Sequence, residues 1–287
     1  MAIKDKAEIE KIVKVLEARG TNLYHACQLK DFRSYISLGG IPSRNNLLSS
    51  GLDFTVFDTD KIDQKNNVWD KVFGNFSDFG RGFVKKGTKS QPNPYGPIQI
   101  VLRPNALRAV ADLSISLRSA GAQDFDRDKE CLKNVQEFER IFQFADARQT
   151  ENLNQRKNVA FSKELNIRFG RDDCTSPEFN CAIENELVGF KDVAFLIVDS
   201  CVYQGRPLLE EVRKLTARSV YERTYYCSDK KMIIEELSTL SATHDCTHKL
   251  LVEGGFASER LKLWVGGCND FHYDRFIRYL SSGTTRA

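Results

Sequence analysis

The sequence predicts a mixed α+β fold, because two hydrophobic patterns alternate along its 287 residues. Between Ile9 and Leu16 apolar residues recur at helical spacing, whereas residues 98–102 and 193–198 form short apolar runs that are typical of strands. Hydrophobic residues make up 41% of the chain and charged residues 28%, which is the composition of a globular protein with a substantial core. A chain of this length forms either one large domain or two.

Local patterns then define the elements in order. The N-terminal periodicity predicts a helix over residues 5–19 that Gly20 ends, and Pro104 is expected to open a helix that reaches Leu113. Residues 49–75 are polar and rich in turn formers, so we expect a long surface loop there. The other predicted elements are strands over 24–27, 98–102, 179–183, 193–198 and 261–265, helices over 29–38, 207–216 and 229–240 and around Phe138, and a rigid turn at 93–97. Residues 104–148 are thus predicted to be a helical insertion.

Charge and cysteine content restrict the partners and the compartment. The net charge of +3 is too small to indicate a nucleic-acid partner by itself. A local basic cluster with Tyr95 close in sequence fits a nucleic-acid strand, although a solvated surface is the alternative; its members are Arg81, Lys85, Lys86 and Lys89. The charged first residues, the lack of long apolar runs and eight cysteines without a CxxC pair lead us to expect a cytoplasmic protein that does not enter a membrane.

The first motif whose side chains suit ligand binding is Leu23-Tyr24-His25-Ala26-Cys27, followed by a helix and by Gly39-Gly40-Ile41-Pro42-Ser43-Arg44-Asn45. A neutral imidazole such as that of His25 can hydrogen-bond a ribose hydroxyl, and the side chains of residues 43–45 suit a ribose-phosphate ligand. A buried structural histidine beside an ordinary turn is the alternative interpretation.

The second motif is Asp78-Phe79-Gly80-Arg81-Gly82-Phe83-Val84. Its glycines allow the backbone to approach a ligand closely, and an aromatic face can cover a planar ring. A bulged strand with both phenylalanines in the core is the alternative. No GxGxxG motif follows a predicted strand, which disfavours a dehydrogenase-type dinucleotide site.

The third motif is acidic. Pro177 disfavours helix at the residue before it, so Glu178 is expected to begin a strand. Strand alternation then places Asn180 and Ala182 on the face of Glu178 and the apolar residues on the other face. A second acidic motif, Glu184-Asn185-Glu186, competes with it. Glu186 is the second carboxylate of this Glu-x-Glu pattern and is therefore the alternative to Glu178 as the acidic residue of the site.

In this order, the motifs resemble those of NAD-dependent ADP-ribosyltransferases of the DarT type, which are toxins that attach ADP-ribose to nucleic-acid bases. The resemblance covers about residues 22–200. It implies split antiparallel β-sheets around an NAD cleft with peripheral helices, and NAD as co-substrate. The implied cofactor-binding residues are His25, Ser43, Arg44, Asn45 and Phe83, with His25 and Arg44 facing the same cavity as Phe83. The implied catalytic residues are Glu178 and Arg81, with Glu186 as the rival carboxylate; Arg81 would hold the pyrophosphate or orient the carboxylate.

Two alternatives to a nucleic-acid-modifying enzyme remain at this point. The Glu-x-Glu pattern favours a protein-modifying ADP-ribosyltransferase, and a non-catalytic binding module could keep the same fold. The family implies a bacterial toxin or phage-defence effector, with DNA or RNA as substrate and an antitoxin as a possible protein partner. We expect a transferase core over residues 1–205 and a C-terminal extension over 206–287 packed on it. His244, Cys246, His248, Cys268 and His272 do not have common zinc spacing, so no metal site is assigned.

Overall fold

The computed structural model describes residues 2–18, 20–55, 60–76, 78, 80, 95–116, 120, 125–140, 177–183, 187–199, 201–203, 206–223 and 232–234. Within them it confirms a mixed α+β fold. The helices are α1 (Lys6–Ala18), α2 (Leu29–Leu38), α3 (Arg44–Ser50), α4 (Asp60–Lys65), α5 (Arg127–Glu130), α6 (Val135–Arg140) and α7 (Leu208–Leu215). The strands are β1 (Leu23–Cys27), β2 (Gly40–Pro42), β3 (Val72–Asn75), β4 (Ile98–Leu102), β5 (Val110–Ser116), β6 (Glu178–Ile183), β7 (Leu187–Gly189), β8 (Val193–Asp199), β9 (Cys201–Tyr203), β10 (Arg206–Pro207), β11 (Val220–Arg223) and β12 (Met232–Ile234).

β1 lies at the centre of a seven-stranded sheet in the order β11-β8-β4-β1-β3-β6-β5. Its neighbouring strands are antiparallel except β11 and β8, which run parallel. Two small sheets accompany it, one in the order β10-β9-β12 and one formed by β2 and β7. This mostly antiparallel topology agrees with the predicted mixed α+β fold and differs from a doubly wound parallel sheet.

Strand alternation gives the large sheet two unlike faces, because residues paired across strands point to the same side. We call one the apolar face; its buried members include Leu23, Cys27, Ile98, Ile100, Phe179, Cys181, Leu196 and Val198. We call the other the polar face; its members include Tyr24, Asn75, Gln99, Ser114, Ser116, Glu178 and Asn180. α2 packs on the apolar face, where Tyr35 reaches His25. The polar face therefore carries a cluster of hydrogen-bonding side chains.

α2 begins and ends at local signals that the sequence contains. The Asp31 carboxylate accepts a hydrogen bond from the Gln28 backbone N–H, which is one of the donors that a helix start leaves free. Gly39 ends the helix at φ 80°, a left-handed conformation that glycine adopts without steric cost, and its N–H donates to the Ile36 carbonyl. These caps fix the path from β1 to the segment that carries Ser43.

The prediction of a long surface loop over residues 49–75 is wrong. This stretch contains α4 and β3, and β3 lies between β1 and β6 in the large sheet. Val68 and Val72 are buried. The strand has only four residues, one of which is Gly74, so its local pattern is weak and its pairing with two distant strands determines it.

The prediction of a helix from Pro104 to Leu113 is also wrong from Val110 onward. Pro104–Ala109 is a 3-10 helix, and β5 follows as an edge strand that pairs with β6. The predicted helical insertion over residues 104–148 therefore contains a strand of the main sheet, followed by the short helices α5 and α6. Pairing of β5 with β6 and with Ile3 overrides the helical signal that Pro104 provides.

The C-terminal part of the described chain joins the main sheet. β11 forms its edge beside β8, and α7 buries Leu208 and Val212 against this region. Within the helix predicted over 229–240, the described residues 232–234 form β12, which corrects that prediction; its other residues and the strand predicted over 261–265 lie outside the described residues. None of the helices in the described ranges is long and apolar enough to cross a membrane.

Candidate functional site

One row of paired residues on the polar face surrounds the predicted carboxylate. Tyr24 pairs with Asn75, Asn75 with Glu178, and Glu178 with Ser116, so four strands present these side chains to the same side. Glu178 is half-buried, and its Oε1 accepts a hydrogen bond of 2.9 Å from the Ala120 backbone N–H. Its neighbours on this face are polar, as the sequence predicts.

The next row on the same face contains buried polar groups that have no hydrogen-bond partner within the described ranges. Asn180 pairs with Ser114, and among the described residues neither the Asn180 carboxamide nor the Ser114 hydroxyl has a hydrogen-bond partner, although both residues are 1% exposed. Gln99, on β4, has the same property. An unpaired buried polar group costs free energy, which is why native proteins usually satisfy such groups. Asn180 and Ser114 thus offer donors and acceptors two residues from Glu178 and Ser116.

The second motif begins close to Asn75 in the chain. Asp78 follows Asn75 by three residues, so its Cα lies within about 11 Å of that of Asn75. Asp78 bonds Arg223, and Arg223 pairs with Asp199, which the alternation of β8 places on the same face as Gln99, so this contact lies on the polar face. Burial raises the pKa of the Tyr24 hydroxyl, and the charge of Asp78 raises it further. The structure therefore brings the start of the Asp78 motif and Glu178 to the same face of the sheet.

An ion cluster holds Asp78 in place. Arg223, at the end of β11, donates from Nη2 to Asp78 Oδ1 at 2.5 Å and from Nη1 to Asp199 Oδ1 at 2.7 Å. Asp199 is fully buried, and the Arg223 side chain is 10% exposed. Gly80 packs against the same guanidinium, because a Cβ on Gly80 would lie 2.2 Å from Arg223 Nη1.

His25 lies on the apolar face, and both of its ring nitrogens have partners there. Nδ1 is 2.7 Å from the Phe73 carbonyl, which can only accept, so Nδ1 carries the proton. Nε2 is then an acceptor for the Tyr35 hydroxyl at 3.3 Å. Burial lowers the pKa of His25 and the charge of Arg44 lowers it further, against the hydrogen bond to Phe73. The imidazole is therefore neutral and held in one tautomer with both nitrogens bonded within the protein, so a ribose hydroxyl could reach it only by replacing the Tyr35 hydroxyl.

Arg44 is enclosed by aromatic rings and by the loop after α3. Its guanidinium lies 4.8 Å from the centre of the Phe54 ring and 5.8 Å from that of Trp69. It donates to the Thr55 carbonyl and lies 4.0 Å from the buried Asp31 carboxylate. Burial raises the pKa of Asp31, and the Arg44 charge opposes that rise. Arg44 thus links α2, α3 and residues 53–55.

The neighbours of Arg44 have local structural contacts. The Ser43 hydroxyl accepts from the Asn46 N–H at 3.2 Å and caps α3, and the Asn45 N–H donates to the Trp69 carbonyl at 3.1 Å. Pro42, just before Ser43, pairs with Leu187, which directly follows Glu186 in the sequence. A cofactor-binding role for residues 43–45 remains a prediction.

The structure thus separates the predicted site residues into two groups. His25 and Arg44 are close enough for the charge of Arg44 to lower the pKa of His25. Glu178 lies on the opposite face of the sheet from His25, because Tyr24 rather than His25 shares its row. The remaining predicted site residues lie outside the described residues: Arg81, Phe83 and Glu186, together with Glu184, Lys85, Lys86, Lys89 and the His244–His272 cluster.

Several residues of the site have no signal in the sequence that would have identified them. Tyr24 and Asn75 become neighbours of Glu178 only through strand register, and β3 itself is not predicted. Arg223 meets Asp78 across 145 residues of chain and joins it to Asp199. The one usable signal is the alternation of side chains along the strand that starts at Glu178. It correctly places Asn180 on the same face as Glu178.

Comparisons with known proteins give a limited set of similarities. No protein-family model matches the sequence, and no curated protein matches it. The structure is similar to two solved structures of Thermus sp. 2.9 DarT, one in complex with ADP-ribosylated ssDNA and one in complex with NAD+. Each is 13% identical with a TM-score of 0.41; the similarity covers 71% of this chain, and 94% and 95% of those chains respectively.

Proposed function

We propose that the protein is an NAD-dependent ADP-ribosyltransferase that modifies a nucleic-acid base. The observation that carries the proposal is the row from Tyr24 to Ser116, which presents Glu178 on the same sheet face as the contact between Asp78 and Arg223. The order of the sequence motifs supports it independently. Glu178 and Arg81 are proposed as catalytic residues, and Ser43, Arg44, Asn45 and Phe83 as cofactor-binding residues. His25 joins the cofactor-binding residues only if one NAD molecule reaches both faces of the sheet, since His25 and Glu178 lie on opposite faces.

The residues of the polar face suit a ligand with ribose and amide groups. Glu178 and Asn75 are partly exposed and supply acceptors and a donor that a ligand can reach. Behind them lie the buried Asn180 carboxamide and Ser114 hydroxyl, which have no hydrogen-bond partner among the described residues. NAD would supply the ADP-ribosyl group when bound, with nicotinamide as the leaving group. A carboxylate at Glu178 would hold a ribose hydroxyl, offset positive charge that develops on the sugar, and accept the proton of the incoming nucleophile.

The first experiment identifies the acceptor. The protein is incubated with labelled NAD and separate pools of single-stranded DNA, RNA and protein, and label transfer is measured. Transfer to DNA or RNA is expected. Transfer to protein alone would support the second candidate, a protein-modifying transferase. The pairing of Leu187 with Pro42 favours that candidate, since it brings the chain after Glu186 beside the segment that carries Ser43. NAD binding without any transfer would indicate a non-catalytic module.

The second experiment tests the carboxylate. Glu178→Gln is isosteric and should lower the rate of NAD consumption by about 10²–10⁴-fold while leaving the folded state intact. Glu186→Gln should cost much less, and Glu222→Gln, at an exposed position of β11, serves as the control. Loss of activity only in Glu186→Gln would transfer the catalytic role to Glu186. Full activity in both variants would remove the catalytic assignment.

The biological role belongs to the same proposal. An enzyme that modifies DNA or RNA bases would act as a cytoplasmic toxin or phage-defence effector, held in check by an antitoxin. The basic residues 81–89 would contact the phosphates of the substrate strand, so its affinity should fall as salt concentration rises.

A further inference from the structure

We propose that Arg223 is a positioning residue of this site, because it fixes the start of the Asp78 motif to the end of the central sheet. The inference rests on the proposed function and concerns a part of the chain that the sequence motifs do not reach. Arg223 acts through the motif and is not itself assigned a contact with substrate.

The two carboxylates that Arg223 joins belong to different parts of the fold. Asp199 ends β8 and pairs with Arg223 in the parallel register of β11, and its N–H donates to the Pro97 carbonyl at 2.8 Å. It is therefore fixed to the frame of the sheet. Asp78 belongs to the segment that follows β3 and leads to Arg81 and Phe83. One planar guanidinium can bond both carboxylates at once from different nitrogens, which a lysine cannot do with the same geometry.

Burial makes this connection stiff. The side chains of Arg223, Asp78 and Asp199 are 10%, 15% and 0% exposed, so water competes little for their hydrogen bonds. Gly80 leaves room for the guanidinium, since a Cβ there would overlap Nη1. A guanidinium held by two carboxylates cannot move aside freely. Arg223 thus constrains two residues of the motif, Asp78 and Gly80.

The consequence for the site follows from sheet geometry. Asp78 bonds Arg223 on the polar face of the sheet, and Asn75 and Glu178 lie on the same face. Fixing Asp78 and Gly80 therefore holds the start of the motif on the sheet face that presents Glu178, and we infer that Arg81 depends on this anchor because it directly follows Gly80 in the chain. Small displacements of catalytic groups have large effects on rate. The strand that carries Arg223 thereby gives residues past 205 a part in the site.

The test that does not depend on activity is limited proteolysis with trypsin. In folded Arg223→Met, cleavage after Arg81, Lys85 and Lys86 should be several-fold faster than in the unmutated protein, as followed by mass spectrometry. Asp78→Asn, which leaves the buried Asp199 paired with Arg223, should have the same effect and provides the readout if Arg223→Met does not fold. Glu222→Gln, on the same strand, is the control and should not change the cleavage rate. Unchanged cleavage in the folded variants would overturn the proposal.

A kinetic cycle separates positioning from a general structural role. Arg223→Met should lower kcat/KM for NAD by roughly tenfold to a hundredfold, as expected for misplaced catalytic groups. In the Arg81→Met background the same change should cost little, because the residue through which it acts is already lost. Equal costs in both backgrounds would overturn the positioning role. If the unmutated protein consumes no NAD, the proposed function fails, and proteolysis alone decides whether Arg223 fixes the motif.

Discussion

His25 illustrates how the environment of one residue sets its chemistry. The hydrogen bond from Nδ1–H to the Phe73 carbonyl fixes its tautomer, and burial together with the Arg44 charge lowers its pKa. The motif predicts a neutral imidazole, and the structure supplies the cause. The role of Tyr35, whose hydroxyl contacts the other nitrogen, could not be inferred from sequence, because a residue ten positions away on a helix has many possible neighbours.

The lowered pKa of His25 predicts a pH dependence of stability. Because the folded-state pKa lies below the ordinary value of 6.5, the unfolded chain binds more protons in the window between the two. Stability should therefore rise with pH through this window and fall as the pH drops below about 6.5. His25→Gln should remove this part of the slope, which is at most about 1.4 kcal/mol per pH unit. Urea unfolding of both proteins between pH 5 and 8 measures it, and identical slopes would contradict the prediction.

Gln99 gives a second prediction at the residue scale. Its buried carboxamide has no hydrogen-bond partner in the part of the chain that the structure describes, so it contributes a desolvation cost without compensation. Gln99→Leu should raise the free energy of unfolding by roughly 1–3 kcal/mol, as measured by urea denaturation. Gln99→Glu is the matched control and should destabilise the fold, because it buries a charge at the same position. A destabilised Gln99→Leu variant would mean that the carboxamide is satisfied in solution.

At the scale of elements, local periodicity succeeds where an element has a strong pattern of its own. α1, β1, α2, β4, β6, β8 and α7 agree with their predictions within a few residues. β3 and β5 do not, because each is determined by pairing with β6, which is distant in sequence. The same limit applies to the site: Glu178 and His25 could be proposed from their motifs, but their separation onto opposite faces depends on β3, which sets the register.

β3 also provides a test at the element scale. A Cβ on Gly74 would lie 2.5 Å from the Phe179 ring and 2.9 Å from the Tyr24 carbonyl, so an added methyl group cannot fit without movement of the backbone. Gly74→Ala should lower the free energy of unfolding by about 1–3 kcal/mol. Gly189→Ala is the control, since the nearest atom to its Cβ is a Lys191 side-chain carbon at 3.8 Å. Equal stability of the two variants would contradict the placement of β3 between β1 and β6.

At the scale of the whole molecule, the central sheet joins segments from most of the described chain. Its strands range from β1 near the N-terminus to β11, and Arg223 bonds Asp78 across 145 residues. Contacts of this range are decided by topology, and no single motif encodes them. Residues 206–223 accordingly combine two roles, since they complete an edge of the sheet and carry a side chain that holds part of the candidate site.

This dual role predicts that the chain cannot be shortened at residue 205 without loss of the fold. The shortened chain would lack α7 and β11, which bury Leu208, Val212 and Val220, and each such side chain stabilises a fold by about 1.5–3 kcal/mol. Their sum approaches the whole stability of an ordinary domain, which is about 5–15 kcal/mol. Circular dichroism and urea unfolding should show no cooperative transition for this chain. Leu208→Ala in the full-length protein should keep a cooperative transition but lower the free energy of unfolding by about 2–5 kcal/mol. A chain ending at residue 205 that unfolds cooperatively with near-native stability would show that α7 and β11 are not part of the folding unit, and would also require Asp199 to be stable without Arg223.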